Sequence, residues 1–309
     1  MNNRLDQYLL RRSMLISMRW VFCALFCVSC FSICRADEAA GSNSAVDSGP
    51  SSQQLQGFNL NGYNNNGEKA WDVNGTKADI TDSNIQITNV DANAYGSQQT
   101  NLTADHGTID KTNGNVHLQD NVVITSKDRG TQMTTDTLDW NRNKDLVSTQ
   151  DPVKIVDQQG EITGDGLTAH PNLKKAQINK NVKAKVHTQP QGEPDDQIIT
   201  VTSDGPMQMN DTAMYAVFNT HVVAVEASTG RELHCDKMEI WFNQATKKIK
   251  KALCTGHVKA VQGPNVSFAD QMIYDGESQV LTMIGRPKII FDAGDGKGRG
   301  MFQPLGKTS

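Results

Sequence analysis

The sequence predicts an all-β protein built by repetition, and three observations lead there. An Asp-centred phrase returns along the 309-residue chain: TADHGTID at 103–110, TTDTLDW at 134–140, HCDKMEIWF at 234–242 and FADQMIY at 268–274. Short Val-rich strands answer it: DNVVI at 120–124, DPVKIV at 151–156, KNVKAKV at 180–186, THVVAV at 220–225, GHVKAV at 256–261 and RPKIIF at 286–291. Their equivalent positions, Val122, Val153, Val182, Val222, Val258 and Lys288, recur every roughly 30–40 residues, a period typical of stacked units that cannot bury their faces alone. Finally, apolar and polar residues alternate in short runs between Asn-Gly steps, while helical spacing of apolar residues is hard to find.

Composition sets bounds on this reading. With 37% hydrophobic and only 6% aromatic residues, the chain can form one elongated domain or two ordinary ones. Arg4, Arg11, Arg12 and Arg19 precede an apolar run at 20–34, about 15 residues against the roughly 20 that span a bilayer. The run suits the core of a secretory signal, with Cys34-Arg35-Ala36 as a cleavage site. Residues 1–36 are therefore expected to be a signal peptide or a short uncleaved anchor, and either places the remainder outside the cytoplasm. Losing them removes five Arg and one Asp, so the net charge of −4 becomes about −8. An acidic exported module is a poor partner for nucleic acid.

The Ser/Gly-rich stretch 37–54 reads as a flexible spacer, and a first β module is expected over 55–187. Pro, Gly and acidic residues at 188–197 mark a linker, with a second β module over 198–291 and a Gly-rich tail over 292–309. In the first module Ile85, Ile87, Val116, Leu118, Val122 and Ile124 alternate strictly with polar neighbours such as His117. The same phase selects Leu138, Trp140, Val153 and Ile155, then Met238, Ile240 and Phe242. In the second module Met207 and Met209, Tyr215 and Val217, and Val223 and Val225 are the next apolar members in order. Alternating strands of this kind present one dry face and one wet face. Repeated with short turns, they give a barrel, a sandwich or an elongated roll, whose interior is a core or an apolar trough.

No catalytic or cofactor pattern accompanies the strands. The seven His form no HExxH pair and no short metal spacing. Gly-Lys-Thr at 306–308 lacks both the preceding Gly of a phosphate loop and a helix to follow it. Asp105, Asp136, Asp236 and Asp270 recur once per unit, which suits turn capping better than an unequal catalytic pair. His221 and His257 stand where Asn121 and Asn181 stand in sister units, as polar punctuation before a strand. The lysines at 247, 248, 250 and 251 suit strands that resist edge pairing, or contact with anionic headgroups. If residues 243–246 form a tight turn, residue 240 pairs with 249, 239 with 250, and Cys235 faces Cys254, a structural disulfide in an oxidising compartment or two buried thiols.

Across 53–187 the chain resembles the LptC family of lipopolysaccharide-export proteins. The likeness is carried by Trp71 with NGTKADI behind it, the TADHGTIDKTNGNVHLQDNVVI block, TTDTLDW, DPVKI and ITGDGLTA. Residues 198–291 are similar to the related LptA/OstA-type repeat. The resemblance implies an elongated, open antiparallel β-jelly roll whose apolar interior shields lipopolysaccharide acyl chains. It also implies a periplasmic location, an inner-membrane ABC-type exporter as partner, other jelly-roll bridge proteins joined by edge-strand pairing, and no cofactor. The alternatives are a secreted polysaccharide-acting β-helix enzyme and a structural β-repeat protein.

Overall fold

The computed structural model describes residues 52–291 apart from 65, 96–98, 128–129, 158–159, 171–173, 189–196, 246–248 and 279. The expected signal or anchor at 1–36, the spacer as far as 51, most of the linker, Lys247, Lys248 and the tail 292–309 lie outside the described residues. Among the described residues seventeen strands form one antiparallel sheet. They are β1 (Gln53–Tyr63), β2 (Lys69–Ile80), β3 (Asn84–Tyr95), β4 (Gln99–Asp110), β5 (Val116–Ser126), β6 (Thr131–Asn141), β7 (Leu146–Asp157), β8 (Gly160–His170) and β9 (Lys175–Thr188). There follow β10 (Gln197–Ser203), β11 (Met207–Asn210), β12 (Tyr215–Glu226), β13 (Arg231–Phe242), β14 (Ile249–Gln262), β15 (Asn265–Asp275), β16 (Val280–Ile284) and β17 (Lys288–Ile290).

The strands form a meander, each pairing with its successor from β1 to β9. Both β10 and β11 pair with β9 on one side and β12 on the other, so they are two halves of one interrupted strand. In the same way β16 and β17 both pair with β15. Pairing between β9 and β10 runs from Thr188↔Gln197 to Val182↔Ser203, so the sheet is continuous across the linker.

Most of these strands are bent in the middle. Ladder pairing skips at Gln119/Val122, Thr134/Asp139, Thr149/Pro152, Asn219/Val222, His234/Lys237 and Thr255/Val258. Such bulges turn a strand and increase its twist. Several corner residues have positive φ: Asp120 62°, Asn121 53°, Asn181 51°, His221 49° and His257 46°. Asn, Asp and His enter this region more readily than most residues, which explains why Asn and His interchange at this position.

Each bend divides a strand into two arms, and the buried positions step across it. The step is three residues in the Asp-bearing strands (Ala104 to Gly107, Cys235 to Met238, Ala269 to Met272) and four in their successors (Leu118 to Val122, Ile178 to Val182, Cys254 to Val258). An extra corner residue on alternate strands keeps both arms in phase, so one face stays largely apolar. Among the described residues no helix covers that face. Val122, Leu167, Phe218 and Val222 are nonetheless almost wholly buried, so the two arms of the folded sheet must pack on each other.

Candidate functional site

The inner face is organised as rows that cross the strands. One row on the first arm links Ile80, Ile85, Ile109, Val116, Trp140, Val147 and Ala169 as successive register partners. It continues through Ala176, Met209, Ala216, Ile240, Ala252, Tyr274 and Leu281. With neighbouring strands about 4.8 Å apart, these fourteen positions extend roughly 60 Å. The row nearer the corner contains Ile87, Leu118 and Leu138, then Leu167, Ile178, Met207, Phe218 and Met238. On the second arm, Leu102, Ile124, Met133, Ile155, Ile162, Ala184 and Val201 form a third.

The thirteen residues selected by alternation all lie on this face. Ile85, Val116, Trp140 and Ile240 belong to the first row, and Ile87, Leu118, Leu138 and Met238 to the second. Val122 and Val153 sit at corners, while Ile124 and Ile155 belong to the row of the second arm. Phe242 closes the first arm of β13, half-buried against the core. His117 and Glu239 lie on the opposite face, where His117 meets Asp139 at 2.6 Å and Glu239 accepts a hydrogen bond from Tyr215 at 2.5 Å.

Two expectations are corrected. In β12 the inward residues are Ala216, Phe218 and Val222; Tyr215, Val217 and Val223 face outward. The YAVF segment is apolar on both faces, so alternation could not choose between them, and Tyr215 instead stacks obliquely on Trp241 with ring centroids 5.3 Å apart. The β13–β14 hairpin pairs Ile240 with Ala252, Glu239 with Leu253 and Met238 with Cys254. Its connection is longer than four residues, and a further shift at Trp241/Phe242 moves the register. Cys235 lies at the corner of β13 rather than directly opposite Cys254. Both thiols are buried and free, and they share a hydrogen bond that lowers the Cys235 pKa and, together with burial, raises that of Cys254.

Two of the recurrent Asp residues, Asp105 and Asp236, have a role that the sequence only half disclosed, and Asp165 and Asp204 share it. Asn121 donates to Asp105 at 2.6 Å and Asn181 to Asp165 at 2.6 Å. His257 meets Asp236 at 2.8 Å and His221 meets Asp204 at 2.7 Å. Each bond joins neighbouring corners and fixes where the sheet folds. The signal was present in separations of 16, 16, 21 and 17 residues. Along the corners of β5 to β9 a groove of about 490 Å³ opens beside Asn121, Asp136, Pro152, Lys154 and Asp165, where Pro152 cannot donate to the ladder.

Charged groups are confined to the margins of the apolar face. Glu226, at the end of β12, is buried and accepts from Arg231 at 2.6 Å and Thr229 at 2.7 Å. Burial pushes its pKa up, but these hydrogen bonds outweigh burial and hold it below the usual range. On the outer face Asp72 is similarly held down, with burial opposed by Lys69, Asn93 and Tyr95.

An antiparallel sheet folded on itself around a largely apolar face is an elongated β-jelly roll. The model of the family described as lipopolysaccharide-assembly, LptC-related, matches residues 21–187, and the chain belongs to that family. The strands from β10 onward lie beyond the match and continue the same rows. No curated protein matches the chain. Among solved structures it is similar to LptH, the LptA-homologous periplasmic component of the lipopolysaccharide transport device from Pseudomonas aeruginosa. That match has 11% identity and a TM-score of 0.30, and it covers 54% of this chain and 97% of the other.

Proposed function

We propose that the chain is a non-catalytic periplasmic conduit. Its inner face shields the acyl chains of lipopolysaccharide and passes them from an inner-membrane ABC-type exporter towards the outer membrane. The observation that carries this reading is the apolar row from Ile80 to Leu281, which no charged residue interrupts. An acyl chain travelling along such a row meets uncharged side chains at every strand.

The interior is packed with its own side chains, so tails enter by parting the two arms. Burying a methylene is worth about 0.8 kcal/mol, so a fourteen-carbon chain gains roughly 11 kcal/mol. That gain offsets the packing energy given up as the arms separate. Vectorial movement then requires energy from the exporter.

The two ends of the sheet suit assembly with other jelly rolls. At one end β1 exposes Leu55 and Leu60; at the other, Val280, Leu281, Ile289 and Ile290 are exposed on β16 and β17. Unpaired edge strands accept a neighbour through main-chain hydrogen bonds. The first 36 residues direct export, whether cleaved or retained as an anchor. Engagement of Asp105 and Asp236 in corner hydrogen bonds supports a structural use of these acids over glycan cleavage.

The test is lipid extraction from inner-membrane vesicles containing the exporter and lipopolysaccharide. Adding ATP and the full chain is expected to transfer lipopolysaccharide onto the chain. Release no greater than in the chain-free control contradicts the proposal.

A further inference from the structure

Among the described residues the inner face carries several buried hydroxyls, and three of them run side by side on successive strands. Thr100 on β4 pairs with Ser126 on β5, which pairs with Thr131 on β6. Each lies two residues from an inward apolar neighbour (Leu102, Ile124 and Met133), so the period of two aims all three inward. They are 4%, 0% and 2% exposed. Among the described residues, neither the Thr100 Oγ1 nor the Ser126 Oγ has a hydrogen-bond partner.

A buried hydroxyl without a partner is destabilising, and Val or Ala would fill the same space without that cost. Further along this margin the positions are Asp157, Gly160, Val186, Ile199 and Glu226, with no hydroxyl among them. The opposite margin, at Ile109, Val116 and Trp140, is apolar. Thr135, opposite Val122, and Ser203, opposite Val182, are also buried without a partner but lie at corners; the hydroxyls of β4 to β6 are distinguished by standing next to one another across three strands.

We propose that Thr100 and Ser126, flanked by Thr131, form a hydrogen-bonding station for the carbonyl at the root of an acyl chain. The hydroxyls donate to the carbonyl oxygen while the tail runs deeper over Leu102, Ile124 and Met133. The station sets which end of an amphiphile faces this margin, and it favours acyl over alkyl tails. This inference rests on the lipid-conduit reading and adds a specificity determinant to it.

The test compares two non-ionic probes with equal tails at monomer concentrations. Decanoyl-N-methylglucamide has a carbonyl at the root of a nine-carbon tail; nonyl maltoside has the same nine-carbon tail and no carbonyl. The native chain is expected to prefer the amide. The double variant Thr100→Val, Ser126→Ala is expected to unfold at the same temperature or higher, to lose about tenfold in affinity for the amide, and to bind the maltoside unchanged. Thr100→Ser, which keeps its hydroxyl, retains the preference. Equal binding of the amide by native chain and double variant overturns the station but leaves the conduit standing. A lower unfolding temperature of the double variant also overturns it, because the hydroxyls then have partners in the free protein. If the native chain binds neither probe, the conduit reading falls and takes the station with it.

Discussion

Asp236 and His257, on neighbouring strands and 21 residues apart, meet at 2.8 Å across the corner of the folded sheet. His257 has φ of 46°, and Asn121 and Asn181 occupy equivalent corners at 53° and 51°. Backbone geometry and the hydrogen bond together define what this position requires. His257→Asn is expected to change unfolding free energy by less than about 0.5 kcal/mol. His257→Val is expected to cost roughly 1–2 kcal/mol, because a β-branched residue resists a left-handed backbone. Urea titrations of both variants check the pair.

Packing between the arms predicts a steep contrast between interior and edge. Phe218 and Leu167 are almost wholly buried, whereas Leu60 on the edge strand is 44% exposed. Phe218→Ala is expected to cost about 3–5 kcal/mol and Leu167→Ala about 2–5 kcal/mol. Leu60→Ala is expected to cost under about 1 kcal/mol. Similar costs at all three positions, measured by denaturant unfolding, would mean that the arms do not close on each other.

Much of this architecture was legible in the sequence of the first half. Ile85 and Ile87, Val116 and Leu118, and Val122 and Ile124 alternate within each arm, and only one choice of inner face buries these apolar members. The legibility failed at Tyr215–Phe218, where both faces are apolar and packing by Met207 and Met209 decided the inward set. It failed again at the β13–β14 turn, where a bulge rather than residue type sets the register. The corner hydrogen bonds join residues that are 16 to 21 positions apart, so a strand-by-strand reading could find Asp105 and Asp236 but not their partners, and it missed Asp165 and Asp204. Close packing of the interior depends on how far the arms fold, which alternation does not encode.

Acid should loosen the margins of the sheet. Glu226 and Asp72 both have pKa values lowered in the folded chain, so the unfolded chain binds their protons more tightly. Their stabilising contribution is present above the ordinary carboxylate values of 4.5 and 3.8. It is lost as pH falls through the lower folded values. The thermal midpoint is expected to hold between neutral pH and about pH 5, then to fall, with a shallower fall in the Glu226→Gln, Asp72→Asn variant.

The buried thiols of Cys235 and Cys254 already share a hydrogen bond. Mild oxidation of the folded chain is expected to join them within one molecule, with the mass loss of two hydrogens. The resulting closed loop should add about 3 kcal/mol in denaturant unfolding. Recovery of both thiols after oxidation and unfolding would contradict this.

The central claim is that acyl chains travel against the inner face, and photo-crosslinking tests it most directly. A photoreactive residue at Leu118 or Ile240 is expected to capture lipopolysaccharide in the presence of the energised exporter, while the same residue at His117 or Glu239, one step along on the outer face, captures little. Equal capture at inner and outer positions would contradict the account.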